Sequence, residues 1–152
     1  MHSRERSTTS AARIELALYL DPSAVVKLIS EEPESGAMVR FLRSGDCATS
    51  ELALAEVPRA LRRLAAERSR GELEALLTEM SRVLRGFALI PLDRELAVLA
   101  GNFDEPHLRA LDAIHLATAV SVVEDLDAFV TYDARQAQAV RAAGLPLAQP
   151  GI

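Results

Sequence analysis

Leu16-Ala17-Leu18-Tyr19-Leu20-Asp21-Pro22-Ser23-Ala24-Val25-Val26-Lys27-Leu28-Ile29 changes its pattern at Asp21. Before it lies a short apolar run, which predicts a strand over Leu16 to Leu20 ending at Asp21. After it, Pro22 suits the first turn of a helix, and Ala24 to Ile29 supplies that helix with apolar residues. A strand that ends in a carboxylate and turns at once into a helix is the first half of a strand–helix–strand unit.

The same alternation continues outward. A helix is predicted over Gly36 to Arg43 and a short strand over Cys47 to Thr49, with Ser50 as the N-cap of a long helix over Glu51 to Arg68. Leu54, Val57, Leu61 and Leu64 recur there at helical spacing, although Pro58 should kink the helix. Gly71 to Leu84 reads as an amphipathic helix and Phe87 to Leu92 as a strand. Asp93 can cap a helix through Leu99, and Asn102 to His107 forms a loop. A helix over Leu108 to Val123, a strand over Ala128 to Tyr132 and a helix over Ala134 to Ala143 follow. Gly144 closes that helix, and Leu145 to Ala148 ends the order as a last short strand. Strands alternating with helices predict an α/β fold with a parallel sheet and helices on its faces.

The chain has 152 residues, 49% hydrophobic and 26% charged, enough for one domain with a real core. Residues 1–13 are polar, carry Arg4, Arg6 and Arg13, and read as a disordered extension, with a single domain over 14–152. Ile14 to Leu20 is interrupted by Glu15 and is too short for a signal-peptide core. No apolar run is long enough to cross a bilayer. Cys47 is the only cysteine, which excludes an internal disulfide and a cysteine-based zinc site and fits a reducing cytoplasm. The formal net charge of −5 is wrong for tight, nonspecific binding of nucleic acid. A chain of this charge acting on RNA needs a local basic surface and cations to offset its own carboxylates. Lys27 is the only lysine, so the positive charge is almost all arginine, as expected either for bidentate phosphate contacts or for a GC-rich genome.

Four acids stand out. Asp21 and Asp133 each follow a predicted strand, and ligands of open parallel sheets bind beyond the carboxyl ends of strands. Each can equally be a helix cap. Asp112 lies within Leu111-Asp112-Ala113-Ile114-His115-Leu116-Ala117-Thr118-Ala119, and Glu56 within Leu52-Ala53-Leu54-Ala55-Glu56-Val57. Both segments are apolar enough to be buried, and a buried carboxylate needs a partner. That partner is an arginine, such as Arg59 for Glu56 or Arg109 for Asp112, or a cation. Four carboxylates meeting in one crevice repel each other, and Mg²⁺ or Mn²⁺ among all-oxygen ligands would offset the repulsion and support phosphodiester hydrolysis without a covalent nucleophile.

These segments resemble a known family. Leu18 to Leu28 resembles the opening motif of PIN domains of the VapC group. Ala48 to Leu52 with Glu56-Val57-Pro58-Arg59-Ala60-Leu61 resembles the second motif. Leu111 to Ala119 resembles the third, the most specific of the set, and Phe129-Val130-Thr131-Tyr132-Asp133 with Gly144-Leu145 resembles the close. The resemblance runs from about Leu16 to the end, with its motifs in family order. It implies a three-layer α/β/α sandwich around a central parallel sheet of about four or five strands. It implies Mg²⁺- or Mn²⁺-dependent endoribonuclease activity, a cognate antitoxin and a homodimer, as in a type II toxin–antitoxin system. By resemblance Asp21, Glu56, Asp112 and Asp133 form the metal-binding, catalytic quartet, with Ser23 and Thr131 as supporting polar residues. Pro22, where many relatives carry a small polar residue, and the polar residues ahead of the first strand are departures.

Three readings stay open. His115, one turn after Asp112, is either a general base or a structural histidine. Arg59, Arg62 and Arg63 share a helical face that either contacts RNA phosphates or is simply solvated. Aromatic residues make up 4% and tryptophan is absent, so recognition would lean on RNA shape and backbone. A catalytically inactive PIN-like module that binds RNA or protein is the alternative to a nuclease. Phosphoryl-transfer domains fit less well. A haloacid-dehalogenase-like phosphatase needs a second aspartate where Ser23 stands, and a receiver needs a lysine beyond a late strand.

Overall fold

Strand β1 (Leu16–Leu20) ends where the sequence pattern changes, and Asp21 caps helix α1 (Pro22–Ile29) by accepting from the Ala24 amide at 3.1 Å. The computed structural model describes residues 16–152 apart from 44, 123 and 125. The disordered extension expected over residues 1–13 lies outside the described residues. Helix α2 (Ser35–Leu42), β2 (Gly45–Ser50), α3 (Ala53–Leu64), α4 (Arg70–Arg85), β3 (Ala88–Ile90) and α5 (Arg94–Gly101) follow in order. The chain then runs through α6 (Ala110–Ser121), β4 (Ala128–Val130), α7 (Ala134–Ala142) and β5 (Leu147–Ala148).

The five strands form one parallel sheet in the order β3-β2-β1-β4-β5. The order reverses beside β1: β2 and β3 extend the sheet on one side, β4 and β5 on the other. A crevice between helices opens at such a reversal, beyond the carboxyl ends of the two central strands. Tyr19 pairs with Phe129 and Leu20 with Val130, so Asp21 and Thr131 leave the sheet side by side.

Alternate side chains of each strand serve opposite layers. Leu18, Leu20, Ala128 and Val130 pack with Ala24, Val25 and Ile29 of α1, Met38 of α2, Val57 and Leu61 of α3 and Leu84 of α4. On the other face, Tyr19 and Phe129 pack with Leu116 and Ala119 of α6, Ala139 and Val140 of α7 and Leu145. Helix α5 lies against the far side of α6 through Leu96, Ala100, Ala113 and Ala117. Full burial of one leucine or phenylalanine contributes about 1.5–3 kcal/mol, so these two faces carry most of the drive to fold.

Several boundaries differ from the sequence expectation. Ser50 is the last residue of β2, and α3 begins only at Ala53 with Leu52 at the cap position. The Ser50 hydroxyl still accepts from the Leu52 amide at 3.1 Å and so shapes the entry to α3. The strand expected over Phe87 to Leu92 narrows to Ala88–Ile90; Pro91 has no N–H to continue the ladder, and the Leu92 amide donates to the Glu51 carboxylate at 2.8 Å instead. Pro58 sits inside α3 without ending it. Its missing N–H frees the carbonyl of Leu54, a residue 54% exposed, where water can satisfy that oxygen.

Lys27 of α1 donates to Glu32 and Glu34 and lies over the Tyr132 ring at 4.9 Å, tying α1 to the segment after β4. The Tyr132 hydroxyl donates to the Pro150 carbonyl at 2.6 Å, and the Gln149 amide donates to the Thr131 carbonyl at 3.0 Å. The chain after β5 is thereby held against the carboxyl end of β4.

Gly144 adopts φ +73° after α7, and an added Cβ would meet nothing within 4 Å. The cost of a side chain there is therefore one of backbone conformation alone. Gly144→Ala is expected to destabilise the fold by about 1 kcal/mol, read as a lower urea midpoint at unchanged slope.

Candidate functional site

Four helices begin at the carboxyl edge of the sheet, and each begins with one of the expected acids. Asp21 caps α1 and Asp133 caps α7, while Glu56 lies in the first turn of α3 and Asp112 in the first turn of α6. Helix N-termini carry unpaired N–H groups and a partial positive charge, so each carboxylate sits where its own helix stabilises it. The four run from a buried floor to an open rim: Asp21 is buried, Glu56 and Asp112 are half-buried, and Asp133 is exposed.

Asp21 is 4% exposed, and its partners are neutral. Ser23 Oγ donates to Oδ1 at 2.6 Å, the Ala24 amide donates to the same oxygen, and the Thr131 hydroxyl donates to Oδ2. Ser23 also accepts from the Tyr132 amide at 2.9 Å, and Thr131 Oγ1 accepts from the Asp133 amide at 3.1 Å. The two hydroxyls expected to support the site therefore join Asp21 to the segment that carries Asp133. Burial pushes the Asp21 carboxyl above the usual aspartate range, against the pull of these hydrogen bonds and of nearby His115.

Asp112 also has a raised pKa. Burial is the main cause, followed by the negative charge of Asp133, with Glu56 adding to it and His115 and Arg109 opposing it. Three of the four acids thus feel one another across three helices. Gln136, buried in α7, connects two of them: its backbone amide donates to Asp133 Oδ1 at 2.9 Å, and its side-chain amide donates to the Asp112 carbonyl at 3.1 Å. Glu56 turns its Oε1 toward His115 Nε2 at 2.5 Å.

Among the described residues, no three His, Cys, Asp or Glu side chains stand close enough to hold one metal ion. Three of the acids are held by local donors: Ser23, Thr131 and Ala24 bond Asp21, the Gln136 amide bonds Asp133, and His115 lies against Glu56. The donor set is nonetheless all oxygen at the edge, as Mg²⁺ or Mn²⁺ prefers. Among the described residues, no lysine or arginine forms an ion pair with Asp21, Glu56, Asp112 or Asp133, so the pairs considered with Arg59 and Arg109 do not form.

Arg59, Arg62 and Arg63 are exposed along α3, the helix that carries Glu56. Two residues at the site escaped the sequence reading. Gln136 lies in Ala134-Arg135-Gln136-Ala137-Gln138, which looks like a solvated face, yet it is fully buried and its Oε1 has no hydrogen-bond partner among the described residues. Tyr19 reads as a core strand residue, and only its hydroxyl distinguishes it from phenylalanine. That hydroxyl lies 2.6 Å from His115 Nδ1.

The raised pKa of Asp21 sets a pH dependence. A carboxyl whose pKa is higher in the folded chain binds its proton more tightly there, so its penalty is absent below the ordinary aspartate range and grows as pH rises through the folded-state value. Asparagine keeps the cap and offers its amide to the same hydroxyls, which can turn to accept. In the presence of chelator, Asp21→Asn is expected to raise the thermal midpoint at pH 8. The difference should vanish as pH falls toward 4. A midpoint below wild type at pH 8 would contradict the burial argument.

Comparisons with known proteins bear on the fold and the family. The PIN domain family matches residues 18–142. Ribonuclease VapC46 of Mycobacterium tuberculosis is 41% identical over 135 residues, spanning 88% of this chain and 98% of the relative. Ribonuclease VapC47 of the same species is 37% identical over 140 residues, spanning 88% and 97%. Among solved structures, Mycobacterium tuberculosis VapC20, described as a sarcin–ricin loop cleaving toxin, superposes with a TM-score of 0.64 at 18% identity over 88% of this chain and 99% of that one. VapBC2 from Rickettsia felis, bound to a DNA fragment from its promoter, gives 0.66 at 16% identity over 89% and 99%. The structural likenesses bear on the fold, a three-layer α/β/α sandwich, and the sequence relatives on the family. The chain belongs to the PIN-domain family, in its VapC ribonuclease group.

Proposed function

We propose that this chain is an endoribonuclease toxin of a type II toxin–antitoxin pair, acting with Mg²⁺ or Mn²⁺ held at the carboxyl edge by Asp21, Glu56, Asp112 and Asp133. The observation that carries the reading is the half-buried Asp112, whose charge is opposed by Asp133 and Glu56 and met by no lysine or arginine ion pair among the described residues. Such an arrangement is unfavourable alone and favourable around a divalent cation. The bound ion would polarise the phosphodiester and lower the pKa of a water molecule.

The chain's own residues have separate tasks in this reading. Asp21 forms the floor, with Ser23 and Thr131 fixing both of its oxygens. Asp133, whose Oδ1 is held by the Gln136 amide, reaches the exposed rim, where the ion or the RNA backbone can meet it. Gln136 keeps α6 and α7 at a fixed spacing, and so keeps Asp112 and Asp133 together. Arg59, Arg62 and Arg63 lead phosphates toward the edge. The net charge of −5 makes this local surface necessary, since the chain as a whole repels RNA.

A cognate antitoxin, an RNA substrate and a second copy of the chain are the proposed partners, and the cytoplasm is the proposed compartment. The name of the Rickettsia felis structure, which pairs VapB with VapC, supports the antitoxin. No described helix is long and apolar enough to cross a membrane.

Inducing the wild type and Asp112→Asn in a bacterial host and mapping cut RNA ends tests the activity. New ends should appear with the wild type only; ends made by both forms, or by neither, would overturn the assignment. Reversing Arg62 and Arg63 together to glutamate should weaken binding of RNA and flatten its dependence on salt by about one to two phosphate contacts. Unchanged affinity and slope would remove this face from the interface.

A further inference from the structure

Tyr19, His115 and Glu56 form a hydrogen-bonded line from the core to the acidic edge. Tyr19 is fully buried, His115 is 1% exposed, and the Glu56 side chain is 20% exposed. The Tyr19 hydroxyl lies 2.6 Å from His115 Nδ1, and His115 Nε2 lies 2.5 Å from Glu56 Oε1. The Tyr19 ring also meets the His115 ring edge-on, at 6.0 Å between centroids.

The protons in this line follow from which atoms can donate. An ionised carboxylate only accepts, so Nε2 must carry the ring proton and donate it to Glu56. Where the ring carries that single proton, Nδ1 is an acceptor, and the Tyr19 hydroxyl donates to it at 2.6 Å. Burial holds the Tyr19 phenol well above its usual range, so the hydroxyl keeps its proton, and the Ser50 amide lies beside its oxygen as a donor. The proton of Tyr19 is thus left for His115. Both ring nitrogens and the Tyr19 hydroxyl are satisfied in this arrangement. Both ring nitrogens are engaged, so His115 has no free lone pair with which to act as a general base.

We infer that His115 is a positioning residue that holds the Glu56 carboxylate beside Asp112, and that Tyr19 sets the tautomer that makes His115 a donor. Without the Tyr19 hydroxyl, the ring proton can move to Nδ1, and a nitrogen lone pair then faces the Glu56 carboxylate. Glu56 swings away, and the edge loses one of its four carboxylates. The inference rests on the metal-dependent reading insofar as the position of Glu56 matters for binding the ion.

The test combines imidazole ¹⁵N spectra with Mn²⁺ titrations of the full chain, each variant being checked for an unchanged melting profile. The spectra should show His115 protonated at Nε2 in the wild type and as a tautomer mixture in Tyr19→Phe. Tyr19→Phe should weaken Mn²⁺ binding about tenfold, within the usual range for groups that orient a ligand. In a Glu56→Gln background the same change should have no further effect, because the line no longer ends on a carboxylate. His115→Gln, whose amide reaches the Nε2 position, should stay within about threefold of wild type, while His115→Asn, whose amide stops near Nδ1, should lose about tenfold or more. Equal losses in the Gln and Asn variants, or an equal effect of Tyr19→Phe in both backgrounds, would overturn the inference. If the wild type binds no Mn²⁺, the metal reading fails separately, and the spectra decide the relay: a ring that keeps its Nε2 proton in full in Tyr19→Phe refutes it.

Discussion

The reversal of strand order beside β1 is the constraint on which everything at the edge depends. Because β2 and β3 lie to one side and β4 and β5 to the other, β1 and β4 are neighbours although the chain between them is long. Their carboxyl ends therefore release Asp21 and Thr131 at the same place, and the Asp21 amide bonds to the Val130 carbonyl across the pair. The helices α1, α3, α6 and α7 all point their N-termini toward that edge. Four helix ends with unpaired N–H groups form a positively polarised rim, and the four acids occupy it. The fold itself supplies part of the compensation that the carboxylates need.

The remaining compensation differs from acid to acid, and that difference separates their roles. Asp21 is held by hydroxyls and an amide that orient both of its oxygens in a poorly solvated place. Glu56 is restrained through His115, itself restrained through Tyr19. Asp112 has its main chain held by Gln136 but its carboxylate exposed to the charges of Asp133 and Glu56. A rigid floor with a more adaptable rim would suit the proposed binding of an ion and then of an RNA backbone.

Much of this order was legible in the sequence, because long helices with regular apolar spacing and strands ending in Asp21 or Asp133 follow local rules. The beginning of α3 was not legible: Ser50 has the chemistry of an N-cap, but pairing of β2 with β3 at Ser50 and Ile90 keeps it in the strand. Phe87 to Leu92 looked like a longer strand because apolar content says nothing about where ladder partners run out. Pro58 looked disruptive because solvent access to the Leu54 carbonyl is a tertiary fact. The four acids were legible as a pattern, but the hold of each one was not. Gln136 has neighbours typical of a solvated helix, and only the packing of α7 against α6 turns it inward. The Tyr19 hydroxyl gains its meaning from His115, far away in the chain.

Lys27, the only lysine, is 15% exposed in its side chain, shared between Glu32 and Glu34 and laid over Tyr132. Reagents and enzymes that seek lysine amines, whether acyl donors, amine-reactive cross-linkers or machinery that attaches degradation tags, thus find a single side-chain target that is already occupied. Capturing it would first require α1 to release the two glutamates and the tyrosine ring next to Thr131. Labelling at this amine would consequently report the opening of one corner of the molecule, with no background from other lysines.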